Sequence, residues 1–340
     1  MKKNILFFVI AVGMASCQQQ NVQQPSSPVA VPQAKIMVAD APINEVLNAD
    51  YRVQVDNRQV PVYNSRIAIG AGKQNVDEVA GSYEKAGFAY FDLIEGTAEV
   101  TVGYSQDIRS AKLVSNKTTL IPDFRGNTLM FKVSEPQNIQ VIINNDSIHT
   151  LDIFVNPEET DVPDPKDPKV VYFGPGSFRL PSAALEDGMT VYVAAGAVVH
   201  CYVGPHEWYT VNEVTGLKNY APFYMLDLTG KNIKVCGRGI LDADNTPLNS
   251  RRGIHVSGED ISLDGVILRN SSECGIYIDN AQNVEINNVK VLNYRFNADG
   301  IDVIQSKDVQ VNGSFIKAQQ PITNDGSPVN ISTTFEGVLK

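Results

Sequence analysis

Apolar and polar residues alternate over short runs through most of the chain. YRVQV (51–55), RIAIG (66–70), FAYFDL (88–93), AEVTVGY (98–104), TLMFKVS (128–134) and IQVIINN (139–145) are separated by turn-forming residues. A period of two puts alternate side chains on opposite faces of a sheet, so these runs predict half-buried antiparallel strands. Their spacing across residues 34–155 predicts a β-sandwich. Candidate catalytic residues do not gather there, and a structural or sugar-binding role is the expectation for this region. The stretch NPEETDVPDPKDP (156–168) holds four prolines among acidic and polar residues. Proline fixes φ and removes a backbone donor, so a stiff linker and a domain boundary are expected here.

Beyond the linker the pattern becomes a repeat. IKVCGRGILDAD (233–244), ISLDGVILRNSS (261–272), VEINNVKVLNYR (284–295) and VQVNGSFIKAQQ (309–320) align, with starts 28, 23 and 25 residues apart. Each has a short alternating strand, then Gly237, Gly265, Asn288 or Gly313, then a second strand. GIYID (275–279) and GIDVI (300–304) supply a third. Strand triplets with Gly or Asn corners are what a parallel β-helix requires, since those residues tolerate a left-handed corner and each strand pairs with its equivalent one coil away. Asn280, Asn283, Asn287 and Asn293 are placed to form amide ladders along the turns. A leucine-rich repeat fits poorly, because the units lack its leucine spacing and any helical period. The expected class is all-β: a β-sandwich, then a right-handed parallel β-helix over 169–323, with an irregular tail over 324–340.

The N-terminus changes the picture. Lys2 and Lys3 precede a short apolar run, Ile5 to Val12, and Met14-Ala15-Ser16 leads to Cys17. The run is too short to cross a bilayer and reads as an export signal. A Cys after small residues is the acceptor pattern of bacterial lipoprotein processing, with residues 1–16 removed and the lipid on Cys17. Residues 17–33, rich in Gln, Pro and Ser, read as a flexible tether. The location expected is therefore the bacterial cell envelope, with membrane contact through the lipid alone. A net charge of -10 in 340 residues argues against nucleic acid as a partner. The remaining cysteines, Cys201, Cys236 and Cys274, match no metal motif; buried thiols are expected, and neither metal nor cofactor is.

The chemistry-bearing run is Asn297-Ala298-Asp299-Gly300-Ile301-Asp302, preceded by Tyr294-Arg295. It resembles the Asn-Thr-Asp-Gly-hydrophobic-Asp motif of polygalacturonase-type glycoside hydrolases, with Ala in place of Thr. Residues 154–201 are similar to the sandwich-to-helix junction of bacterial polygalacturonase-like and dextranase-like proteins. The resemblance implies inverting hydrolysis of a polysaccharide or oligosaccharide. It makes Asp299 the carboxylate that activates water, gives Asp302 a supporting role, and places Asn297, Tyr294 and Arg295 against substrate. Inversion needs one carboxylic acid to protonate the leaving oxygen and one carboxylate to activate water.

The family's Asp-Asp pair belongs one coil later, just past FIKA (315–318). Gln319, Gln320 and Pro321 stand there, and Asp325 follows in an Asn-Asp-Gly turn sequence. Glutamine has no proton to give a leaving group. No Gly-His-Gly or Arg-x-Lys motif follows, so the sequence is expected to be a truncated or frame-shifted form of such an enzyme. A non-catalytic glycan-binding protein is the alternative, and a polysaccharide lyase a weaker one. Trp208, Tyr209, Tyr220 and Phe223, in the aromatic stretch 205–225, are candidates for sugar stacking or for covering the core. The four histidines, at 149, 200, 206 and 255, lie upstream and outside any sequence cluster.

Overall fold

The computed structural model describes residues 34–67, 84–202, 209–211, 213–214, 218–220, 223–245, 251–271, 273–295, 298–332 and 334–336. Cys17, Trp208 and Asn297 lie outside the described residues, as do the side chains of Tyr209, Tyr220 and Phe223. Among the described residues every regular element is a strand.

The alternating runs form two N-terminal sheets. Strands 58–60, 51–55, 98–104, 128–133 and 123–125 make a five-stranded antiparallel sheet. A six-stranded sheet orders 35–37, 84–95, 146–156, 137–143 and 111–115, with 63–67 also paired to 84–95. Its one parallel pairing joins 84–95 to 146–156. Val53, Val100 and Leu129 of the first sheet share a core with Phe91, Ile139 and Ile153 of the second.

These sheets do not stand apart as a separate sandwich. Residues 33–340 form one compact unit, and the Pro-rich stretch lies inside it. The reason is that the six-stranded sheet is covered on both faces: 137–143 is buried at every position, and 84–95 over eight consecutive residues. Its second face carries Tyr63, Phe88, Tyr90 and Phe154, which pack on Val198, Ile240, Ile267, Leu292 and Phe315. Burying each Phe contributes on the order of 1.5–3 kcal/mol. The Pro-rich segment is tied to neighbouring strands through Arg238 Nη2 to Pro157 O (3.4 Å) and Tyr192 OH to Glu159 (3.1 Å).

The repeat forms a parallel β-helix of three sheets. Sheet 1 contains 170–173, 190–193, 234–237, 259–264, 282–287, 307–312 and 329–332. Sheet 2 contains 176–180, 197–202, 240–245, 267–269, 290–293, 315–318 and 335–336. Sheet 3 contains 183–184, 223–228, 251–256, 274–279, 299–304 and 322–324. Each strand pairs in parallel with its equivalent in the next coil, and Leu, Ile and Val fill the interior. The corner residues Gly237, Gly265, Asn288 and Gly313 all have positive φ, at 123°, 78°, 54° and 57°. Asn312 Nδ2 donates to Asn287 Oδ1 (3.1 Å), one rung of an amide ladder. Cys201, Cys236 and Cys274 are buried.

Within and just before the stretch expected to be irregular, the described residues add pairing to the coils: 322–324, 329–332 and 335–336 extend sheets 3, 1 and 2. Polar composition hid it. An open strand edge is a template for backbone pairing whatever the side chains are, and Phe335 adds a ring contact to Phe315 at 5.1 Å.

Candidate active site

Asp299 opens the sheet 3 strand 299–304, opposite Cys274 of the preceding coil. Its backbone is held from two sides: its N–H donates to Glu273 O (2.8 Å), and its carbonyl accepts from Asn293 Nδ2 (2.7 Å). Next to it, Gly300 belongs to a glycine column with Gly253 and Gly275. A Cβ on Gly275 would sit 2.7 Å from Gly300 O, and one on Gly300 would fall inside van der Waals contact of Pro321 O. The Asp-Gly pair is thus explained by close coil approach, not by a positive φ.

Asp299 is a half-buried carboxyl whose pKa is pushed up to about 6, first by burial and then by repulsion from Asp302 and Glu273. Asp302 accepts a hydrogen bond from Thr323 of the next coil. Glu273 is ion-paired with Arg252 (2.7 Å), whose guanidinium lies 4.0 Å from the Tyr277 ring centroid. Under this cluster the Cys274 thiol is held well above its ordinary pKa by burial and by Asp302, which makes it an inert packing group.

Register extends the site toward the N-terminal coils. Asp227, His255, Tyr277, Asp302 and Thr323 occupy equivalent positions on five successive strands of sheet 3. His255 Nδ1 lies 2.7 Å from Asp227 Oδ1 and its Nε2 lies 2.6 Å from Asp279 Oδ1. Its ring stacks on Tyr224 (4.1 Å, 19°) and on Tyr277 (5.8 Å, 24°). His255 is therefore a member of a carboxylate cluster, against the expectation for an isolated histidine.

Sequence reasoning missed Asp227, His255, Glu273, Tyr277, Asp279 and Arg252. The signal was present: stepping back from Asp302 by the repeat period of 22–28 residues lands on Tyr277, His255 and Asp227.

Tyr294 is half-buried and forms a bridge with Ile67. Arg295 is 1% exposed and donates from Nη1 to Asn270 O (2.9 Å). Gly300 N–H donates to Gln320 O (2.9 Å) and Ile301 N–H to Pro321 O (2.9 Å). Gln320 and Pro321 therefore occupy the coil position next to Asp299 and Gly300. Asp325 caps its own turn, accepting from Ser327 Oγ (2.6 Å), Gln305 N (3.0 Å) and Ser327 N (3.1 Å), and these bonds, the Ser327 hydroxyl first, lower its pKa.

Two cavities lie elsewhere among the described residues. One of about 220 Å³ is lined by Glu45, His200, Asp242 and Arg269, and one of about 390 Å³ by Glu159, Asp161, Arg238 and Asp264. Neither is lined by Asp299.

No family model matches the chain, and no curated protein does. Among solved structures it is similar to Dex49A from Penicillium minioluteum, with 11% identity over 86% of this chain and 72% of that one, at a TM-score of 0.49. It is also similar to the family 28 exopolygalacturonase of Yersinia enterocolitica, with 13% identity over 88% of this chain and 67% of that one, at a TM-score of 0.41.

Proposed function

We propose that this chain is an exported, lipid-anchored glycoside hydrolase of the polygalacturonase type, acting on a polysaccharide by inversion. The carrying observation is Asp299, a half-buried carboxyl raised to about 6 at the start of a sheet 3 strand, by burial and by Asp302 and Glu273. A carboxyl in that range holds a proton for part of the time near neutrality, which suits protonation of a glycosidic oxygen. In hydrolysis Asp299 gives its proton to the leaving oxygen as the C–O bond breaks. A neighbouring carboxylate takes one proton from the attacking water, whose oxygen bonds to the anomeric carbon. This exchanges the water-activating role implied by the family resemblance for the proton-donating one. Export and lipidation are supported by Lys2, Lys3, the Ile5–Val12 run and Cys17.

A second reading, glycan binding without cleavage, is favoured by one observation: Gln320 and Pro321 stand where the resemblance calls for two further aspartates. Reducing-end release from a polysaccharide panel by the purified chain and by Asp299→Asn separates the two. Release by the wild type, lost in the variant, supports hydrolysis. Equal inactivity of the two proteins with binding intact supports the second reading. Unsaturated products absorbing in the ultraviolet would replace both with a lyase. Labelling with a fatty acid, lost on Cys17→Ser, tests the anchor.

A further inference from the structure

The charge and ring geometry of sheet 3 narrow the substrate class, and this step rests on the glycan reading above. Among the described side chains of the sheet 3 strands, the acidic groups are Asp227, Asp279, Asp299 and Asp302, with Glu273 at the strand start. The basic groups among them are Arg252 and His255, and both are already engaged by the protein. Arg252 pairs with Glu273 at 2.7 Å and covers the Tyr277 ring. His255 is bracketed by Asp227 and Asp279 at 2.7 and 2.6 Å, one carboxylate at each ring nitrogen. Among the described side chains acidic groups outnumber basic ones, and Arg252 and His255 each already have carboxylate partners within the protein.

The rings point the same way. Tyr224, His255 and Tyr277 stack on one another along the coil axis, so their faces are turned to each other. Such a ladder meets a ligand through its edges and hydroxyl groups more than through its faces. Together with the partly exposed carboxylates of Asp227 and Asp279 it forms a strip rich in acceptors. Sugar hydroxyls are donors, and a hydroxyl-to-carboxylate hydrogen bond is charge-assisted. A uronate brings a second negative charge and no donor to the same place, which is repulsive. Successive coils are about 4.8 Å apart, a spacing that presents one rung of this strip to each part of an extended chain.

We propose that the Tyr224–Asp227–His255–Tyr277–Asp279 strip is a glycan track leading to Asp299 and Asp302, and that it takes an uncharged glycan and rejects a polyuronate. The family resemblance alone would point to the opposite preference.

The test is retention of the full chain in affinity gels containing dextran, pullulan, arabinan, galactan or polygalacturonate, at low and high salt. At least one neutral polymer is expected to retain the protein nearly independently of salt, with polygalacturonate weaker by roughly tenfold or more at low salt. Asp227→Asn with Asp279→Asn keeps an acceptor at each position and removes two charges. The double variant is expected to gain polygalacturonate retention by roughly tenfold. Asp279→Asn alone provides the same test, with a smaller gain, if the double variant folds poorly. Polygalacturonate bound as tightly as the best neutral polymer, or no gain in either folded variant, overturns the charge inference while the glycan reading stands. Retention by none of the polymers overturns both.

Discussion

Lys317 in sheet 2 of the β-helix and Asp152 in the six-stranded N-terminal sheet form an ion pair of 2.9 Å with both side chains at most 2% exposed. Lys317 Nζ also donates to Thr150 Oγ1 at 2.6 Å. Two residues along the same strands, Phe154 and Phe315 meet with ring centroids 5.1 Å apart. Removing one member leaves a buried charge alone. Asp152→Ala is therefore expected to cost about 3–5 kcal/mol, whereas Asp152→Leu combined with Lys317→Met is expected to recover most of that loss. Urea denaturation of the two variants measures the difference.

Asp299 makes stability depend on pH in a stated direction. Its folded pKa of about 6 lies above the ordinary value of 3.8, so the folded state binds the proton more tightly than the unfolded chain. The associated stabilisation is complete below the unfolded value and is lost as pH rises through about 6. Asp299→Asn is expected to melt close to the wild type in acid and above it at neutral and alkaline pH. A melting-temperature profile that falls equally for both proteins between pH 5 and 7 would contradict this account of the site.

Gly300 tests the close approach of coils beside the site. Gly300→Ala places a methyl group against Pro321 O and is expected to destabilise by about 1–3 kcal/mol. Gly103 is a useful control, because a Cβ there meets Arg52 Cβ at an ordinary 3.7 Å. Gly103→Ala is expected to be neutral or stabilising by up to about 1 kcal/mol. Chemical denaturation of both variants decides it.

His255 separates two carboxylates, and His255→Ala would leave Asp227 and Asp279 facing a gap without a donor. A loss of about 1–3 kcal/mol is expected, together with weakened glycan retention. Adding Asp227→Asn and Asp279→Asn to that variant should restore part of the stability, since the uncompensated charges are then gone. Thermal melts of the single and triple variants test the coupling.

The repeat was legible because the coil imposes it directly: two short alternating strands and a corner that accepts only Gly or Asn cheaply. Gly237, Gly265, Asn288 and Gly313 marked those corners, and each has positive φ in the structure. The last strands were not legible. Residues 322–324, 329–332 and 335–336 are held by backbone pairing to the coil before, a force that leaves little trace in side-chain pattern. His255 escaped notice for a related reason, because its two carboxylate partners are 28 and 24 residues away and meet it only through register.

The sequence by itself determined the class of fold, the coil period and the Asp299–Asp302 pair, because these follow from local alternation, turn chemistry and a short contiguous motif. Tertiary structure alone decided three things. It joined the N-terminal sheets to the β-helix through a sheet buried on both faces. It buried Arg295 and brought Asp227, His255, Tyr277 and Asp279 into one strip. It also raised the Asp299 carboxyl through burial and neighbouring charge. Each of these depends on which residues become neighbours across coils or layers, and a residue's surroundings set its desolvation and its electrostatic field.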